Sequence, residues 1–399
     1  MEARSRDLRV VAGAIAVSTM GDFVAAVALA LQTNELWKGI GVSVIFIALW
    51  SPIVLLAGHA GLVVDRFETR RVAIAAALFQ CVVAAALAFM TGSVTAILAL
   101  TALLGVGAAF GQSAEFALVP LLAGTRSLSR ANGVVESARS LGLALGPLIG
   151  GALAASVGTR WAMLADSASF LLIAVALGSV AVRRRVSHTE TAGFRARDGL
   201  TILFAERTLA IATTAGALTL VFMSATIPAD FVYTIDELDK SALALGLVIT
   251  LWAAAMILAS LLVAPRVPAH AVAVGALLAA SVQGFSKFLA PFWMVFPFMC
   301  ACYLVGGAGH GVKNTLFRTL IHQRVEPSRH GQAFAAYNGL RNGAELIALA
   351  AGGVLVAAIG GAGTLWLAGG GAGVVGLVGA VLLSTRSAGQ PAAARANAS

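Results

Sequence analysis

Gly133-Val-Val-Glu-Ser-Ala-Arg-Ser-Leu-Gly142-Leu-Ala-Leu-Gly146-Pro147-Leu-Ile-Gly150-Gly151 is the stretch of this chain that says most about its architecture. It lies in an apolar run long enough to cross a bilayer, which takes about 20 residues. Glycine removes side-chain bulk, so a neighbouring helix can approach closely. Pro147 removes one backbone donor and bends or weakens the helix. The pattern favours a sliding or rocking contact between membrane helices, and ordinary close packing is the alternative.

The composition is that of a membrane protein. Of the 399 residues, 59% are hydrophobic and 11% are charged, and the mean hydropathy is +0.91. A soluble domain carries about 25% charged residues, so the outer surface of this chain must face lipid. The net charge of +9 does not indicate nucleic acid, because the basic residues recur in short clusters between apolar segments. Cys81, Cys300 and Cys302 lie in apolar segments and imply no disulfide framework.

Twelve apolar segments are long enough to span a bilayer as helices. We expect spans at 8–31, 40–63, 72–91, 94–119, 132–156, 160–182, 207–232, 241–264, 269–289, 291–316, 332–358 and 362–384. The first is expected to be a retained helix and not a cleaved signal peptide. The sequence therefore predicts an all-α membrane protein.

The positions of Lys and Arg predict the orientation of the chain. With both termini in the cytoplasm, most of the 27 Lys and Arg residues fall on the cytoplasmic side. The outer side then holds Lys38, Arg160, Lys240 and Lys287. This asymmetry follows the positive-inside rule and predicts a multi-pass membrane protein with both termini in the cytoplasm.

The longest polar connection begins at Arg183-Arg184-Arg185 and divides six spans from six. We predict an N-terminal bundle at 1–182, a cytoplasmic linker at 183–206, a C-terminal bundle at 207–386 and a disordered tail at 387–399. The halves echo each other at an offset of about 200 residues, for example Gly111 opposite Gly311. Internal repeats of this kind are typical of transporters whose substrate site lies between two pseudo-symmetric halves.

Three motifs in the chain resemble those of a known family. The first is Gly61-Leu-Val-Val-Asp65-Arg66-Phe-Glu68-Thr69-Arg70-Arg71. It is similar to the cytoplasmic loop signature of the major facilitator superfamily, Gly-x-x-x-Asp-Arg-x-Gly-Arg-Lys/Arg. Glu68-Thr69 stands where Gly-Arg is usual. A carboxylate beside several arginines can pin two elements by charge-assisted hydrogen bonds. The resemblance implies a lock on the cytoplasmic gate made by Gly61, Asp65, Arg66, Arg70 and Arg71, and a solvated loop that sets topology is the alternative.

The second motif is the 133–151 stretch, which is similar to the span-5 signature of drug:proton antiporters of that superfamily. The resemblance favours export and implies gating roles for Gly142, Gly146, Pro147, Gly150 and Gly151. The third, Gly105-Val-Gly107-Ala-Ala, resembles the tail of the antiporters' span-4 motif, with Thr101 where that motif has arginine.

Shorter strings resemble two branches of the superfamily. Gly21-Asp22, Arg130-Ala-Asn and the stretch from His330 to Asn338 are similar to bacterial macrolide, multidrug and siderophore exporters. Ala131-Asn132-Gly133-Val-Val-Glu136-Ser is similar to lysophospholipid transporters.

Charged residues inside the spans are the candidate site residues, because each costs roughly 2.5–3.5 kcal/mol at mid-bilayer. Asp22 in span 1 can carry a proton or attract a cationic substrate, and a hydrogen bond to Ser18 or Thr19 is the alternative. Glu345 in span 11 is the second candidate for proton coupling.

Two acid–base couples lie on equivalent spans. Glu136 and Arg139 are three residues apart on span 5, and Arg341 and Glu345 are four apart on span 11, so each couple shares one helix face. They predict a symmetric pair of gates in which Glu136 also takes part in proton coupling. Self-neutralised pairs that only permit insertion are the alternative.

The remaining polar candidates are weaker. We expect Glu115 and Lys313 to reach towards the membrane surface, and Asp166 to pack against Ser167 and Ser169. A substrate-binding role is predicted for Asp22, His310, Phe222, Trp252 and Tyr337.

The sequence contains no phosphate-binding loop, no hydrolase motif and no clustered Cys/His metal site, so we expect no enzyme activity, no cofactor and no metal. We predict a monomeric secondary active transporter with the major facilitator fold that exports amphipathic small molecules by alternating access and proton antiport. Its partners would be a small-molecule substrate, protons and the lipid bilayer. The alternatives are a lipid or lysophospholipid transporter of the same fold, or a non-transporting membrane receptor.

Overall fold

The computed structural model describes residues 2–123, 128–180, 196–326 and 329–387, and within these ranges it contains no strand. Short 3₁₀ and π turns join some of the α-helices. The α-helices are α1 (Glu2–Arg66), α2 (Thr69–Phe89), α3 (Val94–Ala123), α4 (Leu128–Ser156), α5 (Thr159–Ser179), α6 (Ala196–Ala205), α7 (Arg207–Val232), α8 (Ala242–Leu262), α9 (Val272–Leu289), α10 (Phe296–Arg324), α11 (His330–Thr364) and α12 (Gly370–Ser387). The predicted all-α class is confirmed.

Two predicted spans lie within the single helix α1, at Arg6–Trp37 and Gly39–Val64. Gly41 lies against the backbone of Thr33, eight residues earlier, since a Cβ on Gly41 would come 3.1 Å from the Thr33 Cβ. In a straight helix these two residues would be about 12 Å apart. The helix therefore bends back on itself between the two spans.

Within the described ranges, ten helical segments are long and apolar enough to cross a membrane. The predicted span 291–316 is not among them. Its helix α10 has 29 residues, but Lys313, Asn314 and Arg318 lower its hydropathy. The last segment, Gln332–Thr385, holds two predicted spans. Gly360 divides them, because its φ of +74° is one that residues with a side chain rarely adopt. With α10 and this division, the twelve predicted spans are accounted for.

The described chain falls into two compact units. Unit 1 comprises Met1–Glu190 and Asp230–Ala253, and unit 2 comprises Thr191–Ala229 and Ala254–Ser399. Residues 230–253 join unit 1 through side-chain contacts such as that of Asn34 Nδ2 with Asp236 Oδ2 at 3.3 Å. The predicted bundle boundaries at 182 and 207 stay a prediction. Most of the predicted linker and tail, residues 183–195 and 388–399, lies outside the described residues.

Three glycines of α4 bring that helix against the backbone of span 1. A Cβ on Gly142 would lie 2.8 Å from the Thr19 Cβ, one on Gly146 would lie 2.6 Å from the Phe23 Cβ, and one on Gly150 would lie 2.9 Å from the Val24 Cα. We call Gly142, Gly146 and Gly150 the glycine seam. Gly133, the first glycine of the sequence motif, has no such contact within 4 Å.

The other side of α4 packs against the start of α8, also within unit 1. A Cβ on Gly151 would meet the carbonyl of Ala242, and one on Gly246 would lie 3.0 Å from the Leu148 Cα. The 146–151 segment is therefore held closely from two sides.

Unit 2 repeats the seam contact on its own helices. A Cβ on Gly352 of α11 would lie 2.9 Å from the Ala225 Cα of α7. Positions 352 and 225 correspond to Gly150 and Val24 at the offset of about 200 residues seen in the sequence. The packing thus supports the predicted internal repeat.

The last part of the predicted linker is helix α6, which belongs to unit 2. Gly199 of α6 packs against α11, where a Cβ on this glycine would lie 2.7 Å from the Ala336 Cβ. Glu206 accepts hydrogen bonds from the Thr208 and Leu209 amides at 3.1 Å and so caps α7. Its carboxylate also pairs with Arg324 at the end of α10, at 3.4 Å.

Two apolar clusters form the core of unit 1. On span 1, Leu8, Val11 and Ile15 belong to one cluster, and the stretch from Val24 to Leu29 belongs to the other. Between these two groups of core residues, along span 1, lies the segment that carries Asp22.

The seam can be tested with two glycine-to-alanine variants. We expect Gly150→Ala to destabilise the protein by about 1–3 kcal/mol, because the added methyl group overpacks the contact with Val24. Gly133→Ala is the matched control on the same helix and should stabilise slightly, since alanine is the better helix former by about 1 kcal/mol. Thermal unfolding of the detergent-purified protein checks this, and equal midpoints for the two variants would contradict the seam.

Candidate functional site

Asp22 stands on span 1 with its side chain exposed, and the glycine before it brings a second carboxyl group close. A Cβ on Gly21 would lie 2.7 Å from Asp166 Oδ1, so α5 packs directly on the backbone of span 1. Asp166 is 1% exposed, and the Ser169 hydroxyl donates to its Oδ1 at 3.3 Å. Asp22 and Asp166 lie within electrostatic reach of each other.

Arg139 of α4 forms an ion pair with Glu115 of α3, with 2.8 Å between Nη2 and Oε1. The guanidinium carbon also lies 5.0 Å from the centre of the Phe116 ring, within the range of a cation–π contact. The two side chains are 25% and 19% exposed. This ion pair therefore ties α3 to α4 inside unit 1.

This arrangement corrects two expectations from the sequence. Glu136 is the partner that the spacing predicts for Arg139, but it is exposed, and the arginine reaches instead to the neighbouring helix. Glu115 is expected to extend towards the membrane surface, yet it is held by this ion pair. A cation stabilises a largely buried carboxylate more than an exposed one, which explains why Arg139 pairs with Glu115 and not with Glu136.

Asp22, Glu115, Arg139 and Asp166 together form what we call the acidic cluster. Asp22 lies within electrostatic reach of both Glu115 and Arg139, and of Asp166. Three carboxyl groups face one guanidinium group, so the cluster carries excess negative charge when all are ionised. The sequence analysis assigns Asp166 and Glu115 only minor roles. The sequence signal that could have indicated Asp166 is Gly21, because a glycine inside a span allows another helix, here α5, to approach closely.

Unit 2 holds what we call the basic cluster: His310, Lys313, Arg341 and Glu345. Lys313 is 4% exposed and lies within electrostatic reach of Arg341 and Glu345. His310 contacts Asn314 one turn later, with 2.9 Å between Nε2 and Nδ2. The prediction that Lys313 extends to the membrane surface is wrong, since its side chain lies inside unit 2.

The sequence does not indicate the position of Lys287. The predicted topology assigns it to the outer surface, but in the structure it is 3% exposed. Its Nζ lies 3.7 Å from the centre of the Tyr303 ring, and His310 is within electrostatic reach. A lysine at the end of an apolar segment normally indicates the membrane surface. Nothing in the local sequence distinguishes a buried lysine from a surface lysine at such a position.

The aromatic residues predicted to bind substrate have packing contacts. Tyr337 stacks on Phe317, with ring centres 6.0 Å apart and planes 20° apart. Phe222 packs on α12, where a Cβ on Gly371 would lie 2.7 Å from its ring. Trp252 is half-buried. Their substrate-binding roles stay predictions.

The loop motif between α1 and α2 makes contacts within unit 1. The Arg70 guanidinium donates to the carbonyl of Val180 at the end of α5. Arg71 pairs with Glu68 at 2.8 Å, so the residue that departs from the usual signature supplies a carboxylate. Gly61 has open space where a Cβ would stand. The Asp65 side chain lies outside what the structure describes, and the gate role of the motif stays a prediction.

Charged groups inside a bundle of membrane-spanning helices, with one cluster in each half of an internal repeat, are typical of a transporter of small molecules. Within the described residues, no group of three or more His, Cys, Asp or Glu side chains is arranged to hold a metal ion. The sequence matches the Major Facilitator Superfamily over residues 11–342. The chain belongs to this superfamily and is a multi-pass membrane transporter.

Solved structures of other transporters share the fold. The nucleoside transporter NupG matches with a TM-score of 0.73 at 11% identity, over 96% of this chain and 99% of NupG. The human organic anion transporter MFSD10 (TETRAN) gives 0.66 at 17%, over 95% and 99% of the two chains. A bacterial homologue of the iron transporter ferroportin, in an inward-facing state, gives 0.68 at 16%, over 94% and 98%. No curated protein matches the sequence. At these identities the likeness establishes the fold alone.

Two variants distinguish the observed Arg139–Glu115 ion pair from the Glu136–Arg139 pair that the sequence predicts. Glu115→Gln should lower the free energy of unfolding by about 1–3 kcal/mol, because it leaves the Arg139 guanidinium without its charged partner. Glu136→Gln, on the exposed neighbour, should change it by less than about 0.5 kcal/mol. The thermal midpoints of the purified variants decide between the two pairings, and a larger loss in Glu136→Gln would restore the couple within α4.

Proposed function

We propose that this transporter exports amphipathic small molecules, such as drugs, secondary metabolites or siderophores, in exchange for protons. The observation that carries the proposal is that Asp166 lies against the backbone of Gly21, the residue before Asp22, with the two carboxyl groups within electrostatic reach of each other. Two such carboxyl groups in a membrane protein repel each other when both are charged, so the pair is suited to hold a proton. Asp22 is the exposed member and is therefore the one that exchanges protons or meets a cationic substrate.

Glu345 is the proposed second proton site. It lies half-buried on α11, within electrostatic reach of Arg341 and Lys313. Gain or loss of a proton on Glu345 changes the net charge felt by both cations, which gives this group a means to couple protonation to the rest of unit 2. Glu136, exposed on α4 and within electrostatic reach of Glu115, is retained as a third candidate.

The direction of transport rests on the glycine seam and its neighbours. Gly142, Gly146, Pro147, Gly150 and Gly151 resemble the antiporter signature, and all four glycines are in close contact with neighbouring helices. Smooth backbone surfaces without interlocking side chains can slide or tilt past each other, which supports a gating role for this segment in alternating access. In the same cycle, Arg66, Arg70 and Arg71 would secure the cytoplasmic side, and Arg139 and Arg341 would act as paired gate residues.

The proton gradient supplies enough energy for such export. One charge crossing 100 mV releases roughly 2.3 kcal/mol, and one pH unit adds about 1.4 kcal/mol. One proton therefore supports a substrate gradient of several hundredfold, since every 1.4 kcal/mol corresponds to about a factor of ten. We place the monomeric protein in a bacterial inner membrane with both termini in the cytoplasm.

Proteoliposomes test the proton coupling. We expect the uptake of a fluorescent amphipathic dye to depend on an imposed pH gradient, and Asp22→Asn and Glu345→Gln each to reduce this dependence by about tenfold, equal to 1.4 kcal/mol. Asp239→Asn is the control: Asp239 is exposed, and asparagine tolerates its positive φ of 51°. Dye transport that is indifferent to the gradient, and that is unchanged when Asp22→Asn and Glu345→Gln are combined, would refute proton antiport.

A lysophospholipid is the second candidate substrate, and the basic cluster favours it. Lys313 and Arg341 outnumber the single carboxylate of Glu345, so unit 2 can attract the phosphate of a lipid headgroup. An amphipathic molecule of this kind would also suit the apolar surroundings of the cluster.

The lipid candidate makes its own prediction. Lysophosphatidic acid should compete with the dye, and Lys313→Gln should raise its half-inhibitory concentration about tenfold, since a charge-assisted contact is lost. Inhibition by an uncharged monoacylglycerol of the same chain length should be the same for the original protein and for Lys313→Gln. If both lipids compete equally well before and after the substitution, the basic cluster does not select phosphate.

A further inference from the structure

Two histidines meet at the end of α10 and the start of α11. His322 and His330 are eight residues apart in sequence, and their Nδ1 atoms are 3.3 Å apart. The rings stand at 83° with centres separated by 4.6 Å. This contact bridges two helices of unit 2, and neither residue belongs to the charged clusters described above.

The hydrogen bond on the far side of His330 determines where its proton is. Its Nε2 lies 2.8 Å from the Val325 carbonyl, and because a carbonyl can only accept, Nε2 must carry the hydrogen. In neutral His330 the Nδ1 atom therefore presents a lone pair towards His322. Histidines that bind metals in proteins are commonly oriented in this way, by donating the other ring N–H to a backbone carbonyl or a carboxylate.

The spacing of the two Nδ1 atoms matches that of adjacent ligands on one metal ion. Zinc–imidazole bonds are about 2.0–2.1 Å long, and a tetrahedral angle between two of them separates the nitrogens by about 3.3 Å. Without a metal, His322 Nδ1–H donates to His330 Nδ1. With a metal, the proton of neutral His322 moves to its Nε2, so that both Nδ1 atoms bind through lone pairs and no net charge is gained or lost.

The surroundings suit a small, accessible site. Phe334 packs on both imidazole rings, with centres 4.9 Å from His322 and 6.4 Å from His330, which restricts their orientations. His322 is exposed and His330 half-buried, so an ion can enter from solvent and keep water in its remaining positions. Imidazole ligands favour zinc and similar transition metals, whereas calcium and magnesium require oxygen ligands.

We propose that His322 and His330 form a two-histidine site for a divalent transition metal such as Zn²⁺, which clamps the end of α10 to the start of α11. No metal motif is recognisable in the sequence, because the two ligands come from separate helices and share no characteristic spacing. The site lies on the side of the membrane that the sequence predicts to be cytoplasmic. It is independent of the transported substrate and of proton coupling.

Metal binding to the full-length protein, freed of any affinity tag, tests the site directly. Equilibrium dialysis with Zn²⁺ should find one ion per chain that is lost in His322→Ala and in His330→Ala, each with an affinity lower by at least about tenfold. Bound Co²⁺ used as a probe should show visible absorption bands that depend on both residues. Zn²⁺ should also raise the thermal midpoint of the original protein, because a ligand that binds only the folded state stabilises it.

Three further variants serve as controls for the metal-binding experiment. His59→Ala and His270→Ala remove exposed histidines elsewhere and should leave binding unchanged. His322→Cys should retain binding, because thiolate is a zinc ligand, whereas a purely structural contact between the rings would not be restored by cysteine. The proposal would be overturned if the original protein bound no zinc, or if zinc binding persisted unchanged in both His322→Ala and His330→Ala.

Discussion

The approach of α4 to span 1, backbone against backbone, is the constraint on which the arrangement of unit 1 depends. Lipid tails are as apolar as leucine, so the hydrophobic effect does little to hold membrane helices together, and close van der Waals contact must do so. Gly142, Gly146 and Gly150 allow that contact over two turns. A methyl group at any of them would separate the helices along the whole seam.

The polar groups of unit 1 take their positions from this contact. Arg139 lies less than one turn before Gly142, so once the seam is closed its long side chain can reach Glu115 on α3. On the other side of span 1, Gly21 performs a similar task by admitting α5, which brings Asp166 against the backbone of Gly21 and within electrostatic reach of Asp22. In both places a glycine that removes bulk also determines which charged groups meet. Buried charges and close packing are thus two results of the same backbone geometry.

Much of the fold could be predicted from the sequence, since hydropathy and the distribution of arginine are strong signals for helices that must satisfy their backbone groups internally. The partners of individual side chains could not. Spacing within one helix suggests Glu136 for Arg139, but a long side chain is free to choose a partner from the neighbouring helix. Lys287 and Lys313 look like residues at the membrane surface, and only the packing of α9 and α10 places them inside. The His322–His330 pair is hidden in the sequence for the same reason, because its members belong to different helices.

The two halves repeat their packing and differ in their charges. Gly150 against Val24 and Gly352 against Ala225 are equivalent contacts, and they are equivalent because close approach of two backbones allows few residue types. Charged positions carry no such restriction: at the same offsets, Glu115 on α3 corresponds to Thr315 on α10, and Asp22 on span 1 corresponds to Met223 on α7. Unit 1 therefore presents mainly carboxyl groups, which hold protons or attract cations, whereas unit 2 presents amino and guanidinium groups, which attract anions. A scaffold of repeated packing with unlike charges thus allows one fold to offer two kinds of chemistry.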